Sequence, residues 1–151
     1  MFLSKERFSH VIESTPLVSI DLVIEDENGQ ILLGERLNRP AQGFWFVPGG
    51  RIFKNETLEQ AFLRLTRDEL GLGYDMSQAT LLGPYTHRYE DCVFGSEIST
   101  HYVAIAYRLA VVRSDLNLPL DIQHARYRWY DKAELLTSDK VHLHTKWYFK
   151  E

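Results

Sequence analysis

Apolar and polar residues alternate with two different periods along this chain, and the change of period marks out its elements. The segments "PLVSIDLVIE" and "QILLGER" carry the apolar-rich alternation of strands and are separated by "DENGQ", whose Asn28-Gly29 pair is a turn signal, so together they predict a β-hairpin. "FWFVPGGRI" predicts a short aromatic strand running into a glycine loop. From Thr57 to Leu70 the spacing becomes helical, with Thr57 and Gln60 placed as a capping box, Asn55 as a competing N-cap, and Gly71 as the left-handed residue after the last turn. "ATLLGPYTHRYE" and "THYVAIAYRLAVV" predict two more strands. A polar loop around "NLPLDIQHAR" then leads into "YRWY" and a short helix from Asp131. The succession is a mixed α/β layout of the α+β type.

On a helical wheel Leu58, Ala61, Phe62 and Leu65 form the buried face of the main helix. Glu69, one turn after Leu65, falls in the same apolar arc, where an ionised carboxylate is costly unless a positive group meets it. Two readings are open: a solvent-facing last turn, or a buried partner, with a metal cation the leading one. Arg64 and Asp68 flank the arc and are spaced for an ordinary i, i+4 ion pair. Gly49 and Gly50 expose backbone carbonyls and amides beside the helix, a setting suited to cation and phosphate contact. Arg36, Arg39, Arg51 and Arg64 each suit solvated surface. Arg51 and Arg64 are also placed to converge on an anion at the glycine loop, where a guanidinium fork matches phosphate oxygens.

Composition narrows the class. The 151 residues, 44% hydrophobic and 25% charged, predict one domain over 1–151 with a real core. A net charge of -4 spread along the chain carries no footprint for nucleic acid, and no basic stripe or long apolar run predicts a membrane partner. The single cysteine, Cys92, excludes an intramolecular disulfide and points to a reducing, cytoplasmic setting.

The positions Gly50, Glu56, Arg64, Glu69 and Gly71 together resemble the Nudix box, the signature of Mg²⁺-dependent hydrolases of nucleoside diphosphates linked to another group. Agreement of five fixed positions by chance is on the order of one in a million starting points at average residue usage. The resemblance implies a Nudix fold, a mixed β-sheet between helices, in which the box forms a loop, helix and loop around metal and diphosphate. The box departs from its family pattern after Arg64. An acid, an apolar residue, any residue and two acids are usual there, whereas this chain has Leu65-Thr66-Arg67-Asp68-Glu69. One carboxylate is missing and one is shortened, which removes a common route for activating water from within the box.

That departure, with "STPLVSID", "NRPAQGFWFVPGGR" and "STHYV", is similar to the GDP-mannose mannosyl hydrolase branch over essentially the whole chain. The branch resemblance implies attack of water on the anomeric carbon of the sugar, with inversion and departure of GDP. It also implies a homodimer. Carried onto this sequence, it implies one Mg²⁺ per site held by the Gly49 carbonyl, Glu69 and Gln123, with His124 as general base, a role suited to a histidine in a mobile loop. Arg51 and Arg64 would stabilise charge on the departing GDP. Arg36, Tyr102 and His87 match positions around the leaving group or sugar, and Asp21 matches one that orients sugar or base. Read from strand alternation alone, Asp21 is equally an outward-facing residue. Phe2 and Phe8 suit stacking on guanine or packing of a dimer interface. Three functions from different classes are distinguished: a GDP-sugar glycosyl hydrolase acting on GDP-mannose and GDP-glucose, a Nudix pyrophosphatase cutting between phosphates, and a non-catalytic nucleotide-binding module.

Overall fold

The hairpin expected around Asn28-Gly29 anchors the sheet: β1 (Leu17–Glu25) and β2 (Ile31–Arg36) meet antiparallel with Glu25 opposite Ile31. Gly29 takes φ 77, and the Asp26 carboxylate accepts the backbone N–H groups of Asn28 at 2.9 Å and Gln30 at 2.8 Å, which closes the turn. The structure, a computed structural model, describes residues 3–118 and 124–150, with the side chains of His124 and Ala125 left aside.

The stretch "FWFVPGGRI" forms two short strands where one was expected. These are β3 (Trp45–Phe46), paired with β2, and β4 (Gly49–Arg51), paired with β1. The glycine pair therefore lies in a strand, with Asp21 opposite Gly49 and Ile20 opposite Gly50. Pro48 lies between the two strands, and its carbonyl accepts the Leu22 N–H at 2.8 Å.

The main helix, α2 (Leu58–Leu70), follows the predicted boundaries closely. Thr57 is its N-cap, both hydrogen bonds of the capping box with Gln60 are made, and Gly71 closes it at φ 74. Asn55 is a left-handed loop residue at φ 73 and does not cap the helix.

β5 (Thr80–Tyr89) and β6 (Thr100–Ala110) pair antiparallel, and β6 runs parallel to β1 from Leu17 opposite Tyr102 to Glu25 opposite Ala110. β7 (His124–Tyr130) pairs with β2 and is longer than "YRWY" suggested. Its first residue, His124, pairs with Arg36, so the backbone of this histidine belongs to a strand and not to the expected loop. The path of the sheet is β3-β2-β1-β6-β5, with β4 on β1 and β7 on β2.

Helices cover both faces of this sheet. On one, Ala61, Phe62, Leu65 and Leu70 of α2 pack with Ile20, Leu22, Ile24, Leu32, Tyr107 and Leu109. Leu58, expected in this face, is the first residue of the helix and is 38% exposed; Thr66 and Leu70 are buried instead. On the other face Val23, Ile31 and Leu33 pack with Trp45, Tyr130, Leu135 and Val141. Leu135 lies on α3 (Lys132–Thr137), the short helix predicted from its N-cap Asp131. Leu17, in the same alternation as Val23, packs with Ile12 of α1 (Lys5–Ser14), a helix that the reading of the N-terminus did not predict. A short α4 (Leu143–Lys146) and a 3₁₀ turn at Trp147–Phe149 complete this layer. Among the described residues, no helix is long and apolar enough to cross a membrane.

Candidate active site around Gly49 and the main helix

Strand β4 and helix α2 meet at two glycines, and the sequence explains why neither can be larger. A Cβ on Gly50 would stand 2.7 Å from Leu65 Cδ2, so the leucine fills the space above the strand. A Cβ on Gly49 would be 2.3 Å from the Ile20 carbonyl oxygen and 3.0 Å from Asp21 Oδ1. Leu65 is thus a core residue, 4% exposed, at the position where the box pattern would place an acid. One turn later Glu69 is 3% exposed and accepts the Gly49 N–H at 3.4 Å, so the second reading of this residue holds: the carboxylate is buried against the strand.

The other acids of the box are arranged differently. Glu56 receives a bidentate contact from Arg64, Nε to Oε2 at 2.8 Å and Nη2 to Oε1 at 2.9 Å, and also accepts the Phe53 N–H at 2.8 Å. These hydrogen bonds, that from Arg64 foremost, hold the Glu56 carboxyl below the usual glutamate range. Arg64 further donates to the Arg51 carbonyl at 2.9 Å and lies 3.8 Å from the centre of the Phe53 ring. Its fork thus ties loop to helix. The expected contact with Asp68 exists at 3.9 Å, but that side chain is 61% exposed and is the weaker partner.

Arg51 pairs with Ser19 across β1 and β4, and its guanidinium stands 4.7 Å from the Phe8 ring and 5.1 Å from the Phe53 ring. Phe8 itself meets Phe94 edge-on at 5.9 Å, so in this chain it supports an arginine and packs on a neighbouring ring. Arg36 donates to the Pro40 carbonyl at 3.0 Å and the Arg39 carbonyl at 3.4 Å, with its guanidinium 5.9 Å from the Phe46 ring. Tyr102 faces both cations: burial pushes its phenol up, while Arg36 and Arg51 pull it down.

Asp21 is mostly covered, its side chain 18% exposed, and is not outward-facing. Tyr148 donates its hydroxyl to Asp21 Oδ2, and His87 Nδ1 lies 3.9 Å from the same oxygen. Burial pushes the Asp21 carboxyl up to about 6, against the hydrogen bond from Tyr148 and the charge of Arg36. Burial also lowers His87 to about 4, with His142 contributing, so the imidazole is neutral at pH 7. His87 stacks on His144 at 4.4 Å, and His144 in turn touches Tyr89, His142 and Trp147. Sequence reading missed Tyr148, His142 and His144. Their signal was present in the closely spaced "HLH" and "WYF" of residues 142–149.

A Mg²⁺ ion keeps several waters and is commonly held by one or two carboxylates together with substrate phosphates. One buried carboxylate, Glu69, beside a strand carbonyl at Gly49 fits such an ion. Among the described residues no group of three or more His, Cys, Asp and Glu could hold a metal. Gln123 and Phe2 lie outside the described residues, and the His124 side chain does as well.

A family model for the NUDIX domain matches residues 15–150. The chain is 40% identical over 126 residues to the low-salt glycan biosynthesis protein Agl8 of Haloferax volcanii, covering 83% of this chain and 78% of that protein. It is 32% identical over 112 residues to an ADP-ribose pyrophosphatase of Methanocaldococcus jannaschii, covering 74% of this chain and 61% of that protein. The fold is similar to that of a MutT Nudix hydrolase from Burkholderia pseudomallei, with a TM-score of 0.71, 26% identity and coverage of 89% and 96% of the two chains.

Proposed function

Because the chain belongs to the Nudix hydrolase family, we propose that it hydrolyses a GDP-sugar, GDP-mannose and also GDP-glucose, to GDP and the free sugar. Water adds to the anomeric carbon, the bond from that carbon to the diphosphate oxygen breaks, and the configuration inverts. The observation that carries this reading is the packing of Leu65 against Gly50. With Leu65 in the core, Glu56 bound to Arg64 and Asp68 turned to solvent, α2 offers one carboxylate at Gly49 and no second one to activate water beside phosphorus. The similarity to a glycan biosynthesis protein supports a sugar-linked substrate.

In this reading Glu69, the Gly49 carbonyl and Gln123 hold one Mg²⁺. When bound, the ion neutralises charge on the diphosphate leaving group. His124, whose backbone pairs with Arg36, accepts the proton of the attacking water. Arg51, braced by Phe8 and Phe53, meets the charge that develops on GDP, a contribution that grows toward the transition state. Arg64 acts by fixing Glu56 and the Arg51 carbonyl. Asp21, neutral His87 and Tyr102 orient the sugar. We further propose one catalytic domain per chain, working as a cytoplasmic homodimer.

Hydrolysis of GDP-mannose in ¹⁸O-water with Mg²⁺ tests the proposal. Label in free mannose is the expected result. GMP, mannose 1-phosphate and label on phosphorus would instead establish a pyrophosphatase, the activity in the name of the methanogen relative, and absence of Mg²⁺-dependent turnover would leave a binding module.

A further inference from the structure

Asp21 has two carboxylate oxygens in different surroundings, and the difference originates at the C-terminal turn. Oδ2 takes the Tyr148 hydroxyl and faces His87 Nδ1 at 3.9 Å, while the same hydroxyl lies 3.3 Å from His87 Nε2. Oδ1 is the oxygen beside Gly49, 3.0 Å from where a Cβ of that glycine would stand, and the Asp21 side chain keeps 18% exposure. Tyr148 cannot easily leave this position. Its ring is held edge-on by Tyr85 at 4.8 Å, and the His87 ring beside it is backed by the stacked His144, itself 6% exposed. Burial and the neighbouring carboxylate push the Tyr148 phenol upward, so the hydroxyl remains a donor at any ordinary pH. The pairing of Asp21 with Gly49 sets this oxygen on the same strand residue that receives Glu69 from the other face.

We propose that Tyr148 is a positioning residue: by occupying Asp21 Oδ2 it fixes the carboxylate so that Oδ1 is left to accept a hydroxyl of the substrate's sugar. The inference rests on the GDP-sugar reading above and names the device that selects the sugar. The aromatic C-terminal segment is then part of the substrate site, with Tyr148 acting only through Asp21. The arginines Arg36 and Arg51 serve the diphosphate, and the Tyr148–Asp21 pair serves the sugar.

Steady-state rates with GDP-mannose, inhibition by GDP, and turnover of monodeoxy sugar analogues of GDP-mannose test it together. Tyr148→Phe is expected to lower kcat/KM for GDP-mannose roughly 10-fold, the order of one hydrogen bond to a charged group, while the inhibition constant of GDP moves less than about twofold. In an Asp21→Asn background the same change should add little, because the two residues act as a unit. Wild-type protein is expected to discriminate against one monodeoxy analogue, and Tyr148→Phe to lose that discrimination. A parallel loss of GDP affinity, or effects of the two substitutions that multiply, would overturn the proposal. So would wild-type turnover of all monodeoxy analogues at equal rates, a result that needs no variant to fold. Product analysis separates the two levels: GMP with a sugar phosphate refutes glycosyl hydrolysis, while the analogue panel still reports on Tyr148.

Discussion

Replacing Gly50 by Ala probes the contact that gives the box helix its shape. The added Cβ would lie 2.7 Å from Leu65 Cδ2, closer than carbon atoms approach, and Leu65 is only 4% exposed, so its methyl group has little room to withdraw. Overpacking of this kind costs about 1–3 kcal/mol. Gly50 has no positive φ, so Ala is admissible there and restricts the unfolded chain, offsetting about 0.4–1 kcal/mol. The net expectation is a loss of roughly 1 kcal/mol. Leu65→Ala removes the obstructing methyl groups and leaves a cavity, at a cost of about 2–5 kcal/mol. In that background Gly50→Ala meets no Cδ2, fills part of the cavity and retains its effect on the unfolded chain. It should therefore become neutral or stabilising by a few tenths of a kcal/mol. The assay is urea unfolding of the four proteins, compared at their midpoints with a common m-value. Equal effects of Gly50→Ala in the two backgrounds, within about 0.5 kcal/mol, would refute the claim that Leu65 is placed by its packing on this strand.

Three other outcomes follow from the site. Glu69→Gln should raise the Mg²⁺ concentration needed for half-maximal rate, measured by metal titration; an unchanged requirement removes Glu69 from the ligand set. His124→Gln should lower kcat by roughly 10²- to 10⁴-fold, as for loss of a general base, without altering Mg²⁺ binding; wild-type kcat in this variant dismisses the role. Finally, folding stability should fall as pH drops from about 6.5 toward 4. Burial lowers His87 and His142 to about 4 and His144 to about 3, so between these values and 6.5 the unfolded chain binds more protons, while Asp21, raised to about 6, opposes part of the trend. Each histidine contributes a slope of up to about 1.4 kcal/mol per pH unit. Chemical denaturation across this range checks it, and a flat profile contradicts neutral burial of the cluster.

The elements that sequence reading recovered are those whose cause is local. The hairpin turn is set by Asp26 and Gly29, and α2 by Thr57, Gln60 and Gly71, all within a few residues of the structure they fix. Glu69 was legible because its burial follows from the apolar arc it shares with Leu65. Arg64 meets Asp68 at 3.9 Å as its spacing predicted, but its main partner is set by tertiary structure. The i, i+4 spacing pointed to Asp68, but Glu56 returns from the loop before the helix and offers two oxygens where Asp68 offers a solvated one. The strand position of His124 depends on pairing with a segment far earlier in the chain, which no local pattern encodes. Tyr148 was invisible for the same reason, since its partner Asp21 is 127 residues away.

The two faces of the sheet divide the proposed chemistry between them, and Gly49 is where they meet. From the α2 face, Leu65 fixes the helix against Gly50 and thereby sets the height at which Glu69 reaches the Gly49 amide. From the other face, the C-terminal turn fixes Asp21 through Tyr148, next to the same residue. An acid in place of Leu65 would have to displace the core contact or carry a charge into it, and an uncompensated buried charge commonly costs several kcal/mol. Leu65→Glu is therefore not a return to a fuller metal site. It would move α2 away from β4 and with it the one carboxylate that the strand receives, so a leucine here and a single helix carboxylate at Gly49 are two consequences of one packing arrangement.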